Sequence, residues 1–269
     1  MPLTGVAGFP VAHSRSPQMH NAAFRALGLD DWLYVHVPVA PSLFAEVARS
    51  LHGSGYVGVN VTIPHKHAAL AVADSASPAA REIGAANTLS FEGDAIHADN
   101  TDAQGFLDAL GEPVAGRRAL ILGAGGAARA VAWALRRAGA AEISVWNRTP
   151  ERARRLAADL GLRSVASPEP ADLLVNATAV GLEGSASDLP LDQVGHPELV
   201  ADLVYADEPP AVTAWALARG MRIVGGLELL VRQGALTFQR WTAKDPPIDV
   251  MREAVRSART PSPMRVPFR

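Results

Sequence analysis

The run Gly123-Ala124-Gly125-Gly126-Ala127-Ala128 constrains this chain more than any other stretch. An apolar strand, Arg118 to Leu122, leads into it, and an amphipathic helix, Ala127 to Ala138, leads out. A second strand, Glu142 to Trp146, follows. Strand, tight glycine turn, helix and strand make a βαβ unit, which implies a parallel sheet. Further strands are expected at Asp172 to Val175, Leu199 to Leu203 and near Arg222 to Val224. Strands alternating with helices place that sheet between two helical layers.

The same glycines carry a chemical reading. Gly123 makes the turn, Gly125 lets backbone N–H groups approach a pyrophosphate, and Ala128 lets the helix pack closely. The helix N-terminus adds a partial positive charge. Gly123, Ala124, Gly125, Gly126 and Ala127 are therefore candidate dinucleotide contacts. A plain tight turn is the competing reading, and the flanking strand and helix weigh against it. NAD sites usually end the next strand with an acidic residue for the ribose hydroxyls. Here Trp146 is followed by Asn147-Arg148-Thr149-Pro150-Glu151-Arg152. Arg148 and Arg152, beside a helix start with Thr149 as its cap, suit a 2′-phosphate. The expected cofactor is NADP. The alternative is an exposed loop whose arginines Glu151 partly offsets.

The first hundred residues also alternate. Val6 to Phe9 reads as a strand and Ser16-Pro17 as a helix start, with Ser16 as cap and Met19, Phe24 and Leu27 on the apolar face. Trp32 to Val39 is a strand, Pro41 to Leu51 a helix, and Tyr56 to Ile63 a β-branched strand. Two short helices and a hairpin around Gly93-Asp94 follow. Thr101 and Gln104 have the spacing of a capping box for a helix reaching Leu110. A domain boundary falls within that helix, and Gly225-Gly226 ends the next unit, giving 1–101, 102–226 and 227–269. Leu227 to Trp241 is a helix, and the stretch from Ser257, with three prolines and three arginines, is expected to fray.

Composition excludes other classes. The net charge is −2 among 269 residues, so no basic excess points to nucleic acid or an anionic membrane. With no cysteine, disulfides, thiolate nucleophiles and Cys-type zinc sites are out. The start lacks a basic region followed by a long apolar run, so no signal peptide is expected and the cytoplasm is the default compartment. Partners are expected to be small molecules or another copy of the chain, and monomer and homodimer both stay open.

Four segments supply the chemistry. His13-Ser14-Arg15-Ser16-Pro17 offers hydroxyls, Asn60-Val61-Thr62-Ile63-Pro64-His65-Lys66 a lysine, and Asp99-Asn100-Thr101-Asp102 an aspartate, beside the glycine loop. A hydride delivered to a ketone creates an alkoxide, which a lysine ammonium can stabilise and protonate. Asp102, at the first turn of its helix, is expected to stay ionised and to orient Lys66. Bland readings compete: Ser16 as a cap only, Thr62 as a strand residue, Asn87 as a turn former, Tyr205 as a half-buried aromatic. His65 and His67 flank Lys66, but no third ligand lies nearby, and no metal is expected.

These segments, together with Ala85-Ala86-Asn87-Thr88-Leu89, Asn147-Arg148-Thr149 and Gly226-Leu227-Glu228-Leu229-Leu230 with Gln233, resemble the shikimate dehydrogenase family over nearly the whole chain. The resemblance implies NADP-dependent, reversible reduction of 3-dehydroshikimate to shikimate, a step of aromatic amino-acid (chorismate) biosynthesis. It implies an α/β fold of two domains: a substrate domain completed by the C-terminal helices, and an inserted Rossmann-type NADP domain. By that resemblance Lys66 and Asp102 form the catalytic pair. Ser14, Ser16 and Tyr205 bind the carboxylate, and Thr62, Asn87 and Gln233 the ring hydroxyls. Leu203 and Gly226 line the nicotinamide side, and Asn147, Arg148 and Thr149 clasp the phosphate. Ala179 stands where the family often has serine, Pro78 where some members carry an acidic residue, and Gly225 where an acidic residue is frequent. Two rivals remain: a quinate or shikimate dehydrogenase using NAD, and a non-catalytic NADP-binding sensor, which would have little need of both Lys66 and Asp102.

Overall fold

Two six-stranded sheets carry the chain in a computed structural model that describes residues 1–180 and 189–258. The frayed end expected past Ala258 lies outside the described residues. The first sheet holds β1 (Leu3–Gly8), β2 (Leu33–Pro38), β3 (Tyr56–Val61), β4 (Ser75–Ala76), β5 (Thr88–Glu92) and β6 (Ala95–Asp99). Their order is β2-β1-β3-β5-β6-β4. β1 pairs parallel with β2 and β3, while β5 runs antiparallel to β3 and β6. The second sheet holds β7 (Arg118–Leu122), β8 (Glu142–Trp146), β9 (Arg163–Ser164), β10 (Leu173–Asn176), β11 (Leu199–Asp202) and β12 (Arg222–Gly225). Its order is β12-β11-β10-β7-β8-β9, and every pairing is parallel. The strands expected around the glycine loop are β7 and β8, with matching bounds.

The helices are α1 (Ser16–Ala26), α2 (Phe44–His52), α3 (Lys66–Val72), α4 (Pro78–Ile83) and α5 (Asp102–Leu110), then α6 (Gly126–Arg137), α7 (Pro150–Leu160), α8 (Ala211–Leu217), α9 (Gly226–Thr242) and α10 (Ile248–Ser257). α2 and α3 cover one face of the first sheet through Phe44, Ala48, Ala69 and Val72. α1, α9 and α10 cover the other, where Met19, Phe24, Phe238 and Met251 share one apolar cluster. The phenylalanines are fully buried, and each such side chain contributes roughly 1.5–3 kcal/mol. This cluster returns the C-terminal helices to the first sheet. α5 packs against α9 and also against α6, so its Phe106 joins the second sheet's core. Among the described residues no helix is long and apolar enough to cross a membrane.

Strand register decides where the loops go. β1 and β3 lie side by side, Val6 opposite Asn60 and Ala7 opposite Val61, so the segments after them leave from one edge. β5 begins at that edge, since Thr88 pairs with both Asn60 and Asp99. In the second sheet Leu122 is level with Trp146 and Asn176, and Asp202 with Asn176 and Gly225. Five loops therefore leave its carboxyl edge together. The chain order reverses between β7 and β10, and a crevice opens at such a switch point.

Local expectations at four helix starts need correction. Thr101 precedes α5, but its hydroxyl makes no cap bond. It is buried and donates to Asn87 Oδ1 at 3.2 Å, because a buried hydroxyl must find a partner inside. Asn100 Oδ1 accepts from the Ala103 N–H at 3.3 Å instead, and Gln104 turns outward to Asp108. Ser16 is not a cap: it is the first residue of α1, and its own N–H donates to Ser14 Oγ at 3.3 Å. Thr149 precedes α7 without a side-chain cap bond, and its carbonyl accepts from Asn147 Nδ2 at 2.9 Å. The helix expected from Pro41 is a 3-10 turn over Pro41–Leu43 that passes into α2.

Candidate active site

The first sheet's carboxyl edge opens into a cavity of ≈ 400 Å³. Ser14, Ser16, Thr62, Lys66, Asn87, Asp102, Tyr205 and Gln233 all line it, as do Ala127, Leu203 and Gly226. Residues far apart in sequence thus meet around one space. Tyr205, Leu203 and Gly226 come from the second sheet's edge, so both sheets build the walls.

Lys66 opens α3 and Asp102 opens α5. Lys66 Nζ lies 2.5 Å from Asp102 Oδ2, and each side chain is 12% exposed. Asn87 holds the other carboxylate oxygen, its Nδ2 donating to Asp102 Oδ1 at 2.9 Å. The Asn87 carbonyl oxygen accepts from the Thr101 N–H at 2.8 Å, which fixes the amide's orientation. Asn87 Nδ2 also lies 3.3 Å from Gln233 Oε1, and Gln233 Nε2 donates to the Leu230 carbonyl at 2.8 Å. A second layer supports this one. Tyr34 donates to Asn60 Oδ1 at 2.9 Å, and Asn60 Nδ2 reaches Thr88 and Thr237 at 3.2 Å each. Charged and polar groups here are aimed by one another, which is how a site holds a proton donor in place.

Elsewhere on the cavity wall the Ser14 and Ser16 hydroxyls lie 3.1 Å apart, both buried. His36 Nε2 contacts the Ser14 carbonyl at 2.9 Å. Tyr205 is half-buried. Burial pushes its phenol up, opposed by the Ser14 hydroxyl, the Arg15 backbone N–H and the Arg15 charge. Three neutral hydroxyls thus face one end of the cavity, a donor set suited to a carboxylate. Thr62 also lines this cavity.

A second cavity, of ≈ 1090 Å³, runs along the second sheet's carboxyl edge. Gly123, Ala124, Gly125 and Gly126 line it, with Asn147, Arg148 and Arg152. Thr149 lines neither cavity. A Cβ on Gly125 would meet nothing within 4 Å, so its backbone is open to a ligand. A Cβ on Gly126 would sit 2.9 Å from Lys66 Cβ, so this glycine also makes room for the lysine stem. The guanidinium groups of Arg148 and Arg152 have no ion-pair or hydrogen-bond partner among the described residues, whereas that of Arg129 in the same cavity pairs with Asp159 at 2.8 Å. Unpaired guanidinium groups beside exposed glycine backbone fit a phosphorylated dinucleotide.

The two cavities share Ile63, Lys66, Ala177, Thr178 and Ala179. Thr178 is held by Asn176, whose Oδ1 accepts from its hydroxyl at 2.7 Å, and Asn176 Nδ2 donates to Asp202 Oδ1 at 2.8 Å. Burial raises Asp202, against the pull of its bonds to Thr213, Asn176 and Val204. The sequence draws attention to Ala179 but not to its neighbour Thr178. It also passes over Arg155, which lines the second cavity without a partner among the described residues. The spacing of Arg155 to Arg152, one helical turn, is the available signal. His65 and His67, the two histidines beside Lys66, point to different carbonyls: His65 Nε2 lies 2.8 Å from that of Val39 and His67 Nδ1 lies 2.9 Å from that of Gly84.

Three family models match the chain. They are the shikimate dehydrogenase substrate binding domain over residues 6–89, the shikimate / quinate 5-dehydrogenase model over 108–181, and the shikimate 5'-dehydrogenase C-terminal domain over 226–256. The shikimate dehydrogenase (NADP(+)) of Thermus thermophilus is 48% identical over 264 residues, covering 94% of this chain and 97% of its own. That of Methanothermobacter thermautotrophicus is 44% identical over 271 residues, covering 94% and 95%. Among solved structures, shikimate 5-dehydrogenase from another strain of Thermus thermophilus, in complex with NADP(H) and shikimate, is similar with a TM-score of 0.87. It is 45% identical, and the match covers 95% of this chain and 99% of that one.

Proposed function

Because the chain belongs to the shikimate dehydrogenase family, we propose that it catalyses the reversible, NADP-dependent reduction of 3-dehydroshikimate to shikimate in aromatic amino-acid (chorismate) biosynthesis. The observation that carries this reading is the meeting of the two cavities at the ion-paired Lys66. One cavity suits a small polar acid and the other a phosphorylated dinucleotide. Bound NADPH would supply the hydride. Lys66, as an ammonium, donates a proton to the alkoxide that forms, and Asp102 orients both the lysine and the neighbouring substrate hydroxyl. Asn87, Gln233 and Thr62 hold ring hydroxyls, and Ser14, Ser16 and Tyr205 the carboxylate. Arg148 and Arg152, with Asn147, take the 2′-phosphate, while the amides from Gly123 to Ala127 meet the pyrophosphate.

The same reading assigns residues 1–101, with the helices from 227 onward, to substrate and residues 102–226 to NADP. Support comes from the return of α9 and α10 to the first sheet. The cytoplasm is the setting that suits a biosynthetic step with soluble substrates, and a monomer or homodimer suffices, because the described cavities are built within one chain. The test is NADPH formation, read by absorbance, when shikimate and NADP are added to pure protein, with quinate and NAD in parallel. Turnover of shikimate with NADP is expected. Turnover of quinate with NAD alone would transfer the assignment to that chemistry, and tight NADPH binding without turnover would leave a sensor.

A further inference from the structure

Arg15 stands between the two cavity serines yet lines neither cavity. Its side chain is only 5% exposed. Nη1 donates to the Val255 carbonyl at 2.9 Å, in the last turn of α10. Nη2 donates to Asp207 Oδ1 at 2.6 Å, and the guanidinium carbon lies 5.8 Å from the centre of the Tyr205 ring. A buried guanidinium is costly unless it is paired, and here a carboxylate, the negative end of a helix and an aromatic face surround it. Nε has no hydrogen-bond partner among the described residues.

Tyr205 and Asp207 arrive from the second sheet, on the segment between β11 and α8, whereas Arg15 and both serines belong to the first. The Arg15–Asp207 pair therefore spans the two halves beside the Tyr205 hydroxyl. That hydroxyl must sit against Ser14 to complete the donor set, and nothing in β11 itself aims it there. We infer that Arg15 is a positioning residue that latches the Tyr205–Asp207 segment onto the Ser14–Ser16 turn and so couples the join between the halves to carboxylate binding. The inference rests on the proposed function. A lysine could not serve equally, because only a planar fork reaches the Val255 carbonyl and Asp207 together.

The experiment measures KM for shikimate and for NADP separately in Arg15→Leu, Arg15→Lys, Asp207→Asn, Tyr205→Phe and the Arg15→Leu/Tyr205→Phe double variant. Loss of a charge-assisted contact predicts that Arg15→Leu raises the shikimate KM by roughly 10- to 100-fold, with the NADP KM within about twofold. Arg15→Lys should recover part of this, and the double variant should be little worse than Tyr205→Phe, since Arg15 acts through the tyrosine. Equal rises in both KM values, or fully multiplying penalties, would overturn the inference. Should Arg15→Leu fail to fold, Asp207→Asn decides: a shikimate KM raised by about 3- to 10-fold supports the latch, and an unchanged one removes it. Absence of shikimate turnover in the unaltered protein overturns reading and inference together, whereas normal turnover with unaffected variants sinks the inference alone.

Discussion

The two cavities are organised in opposite ways. In the substrate cavity the polar groups already hold one another: Lys66 is paired with Asp102, Asp102 with Asn87, and Asn87 with Thr101 and Gln233. In the nucleotide cavity Arg148, Arg152 and Arg155 have no partner among the described residues, and the glycine backbone stands open. The first arrangement suits proton transfer, where geometry must be in place before the reaction. The second leaves its charges for an incoming anion to complete, so that affinity depends on the ligand's phosphate. Folding fixes the first site, and ligand binding completes the second.

Lys66→Ala gives the largest expected break in that contrast. It should lower kcat by roughly 10³-fold while NADPH binding, read by fluorescence, stays within a few fold. If NADPH binding collapses as well, the two cavities are not separable. Asn87→Leu comes next. It strips partners from the Thr101 N–H and the Asp102 carboxylate, so kcat and thermal stability should fall together, the latter by about 2 kcal/mol. A stable but inactive variant would mean that the amide is not part of the folded scaffold.

Arg148→Gln and Arg152→Gln should do the reverse. Each should weaken NADPH binding by roughly 10- to 100-fold, leave NADH binding alone and leave the melting temperature unchanged. Equal losses for NADPH and NADH would take the 2′-phosphate away from these arginines. The last test concerns acid. His20 is fully buried and stacked on Tyr34 at 4.4 Å, and its two ring nitrogens have no hydrogen-bond partner among the described residues. Burial lowers its pKa from 6.5 to about 3. The unfolded chain therefore takes up this proton first. The stabilisation is complete above pH 6.5 and is lost as pH falls towards about 3, by roughly 1.4 kcal/mol per unit. Denaturant melts from pH 7 to 5 should show that slope, and His20→Leu should flatten it. An unchanged slope would show that another group sets the acid limit.

Much of the molecule is legible without coordinates, for local reasons. β7 and β8 can be bounded because apolar runs, a glycine turn and an amphipathic helix are signals confined to neighbouring residues. The helix caps fail for the complementary reason. Thr101 and Ser16 have the right type and spacing for a cap, but each hydroxyl lies in a buried polar site where another partner is closer. Arg155 and Thr178 escape attention because surface arginines and loop threonines are common, and only their place in a cavity distinguishes them.

By itself, then, the sequence determined the βαβ unit, the phosphate loop, the preference for a phosphorylated cofactor and the family to which the chain belongs. All of these reside in short motifs whose meaning survives without long-range contacts. The tertiary structure alone decided which groups meet. Lys66 and Asp102 lie 36 residues apart, and Asn87 and Gln233 146 apart, and they touch because parallel strands and one antiparallel strand deliver their loops to the same edge. Arg15 is the clearest case. Its partners, Asp207 and Val255, come from the far sheet and the last described helix, and no periodicity or spacing encodes a contact that depends on how two sheets sit against each other.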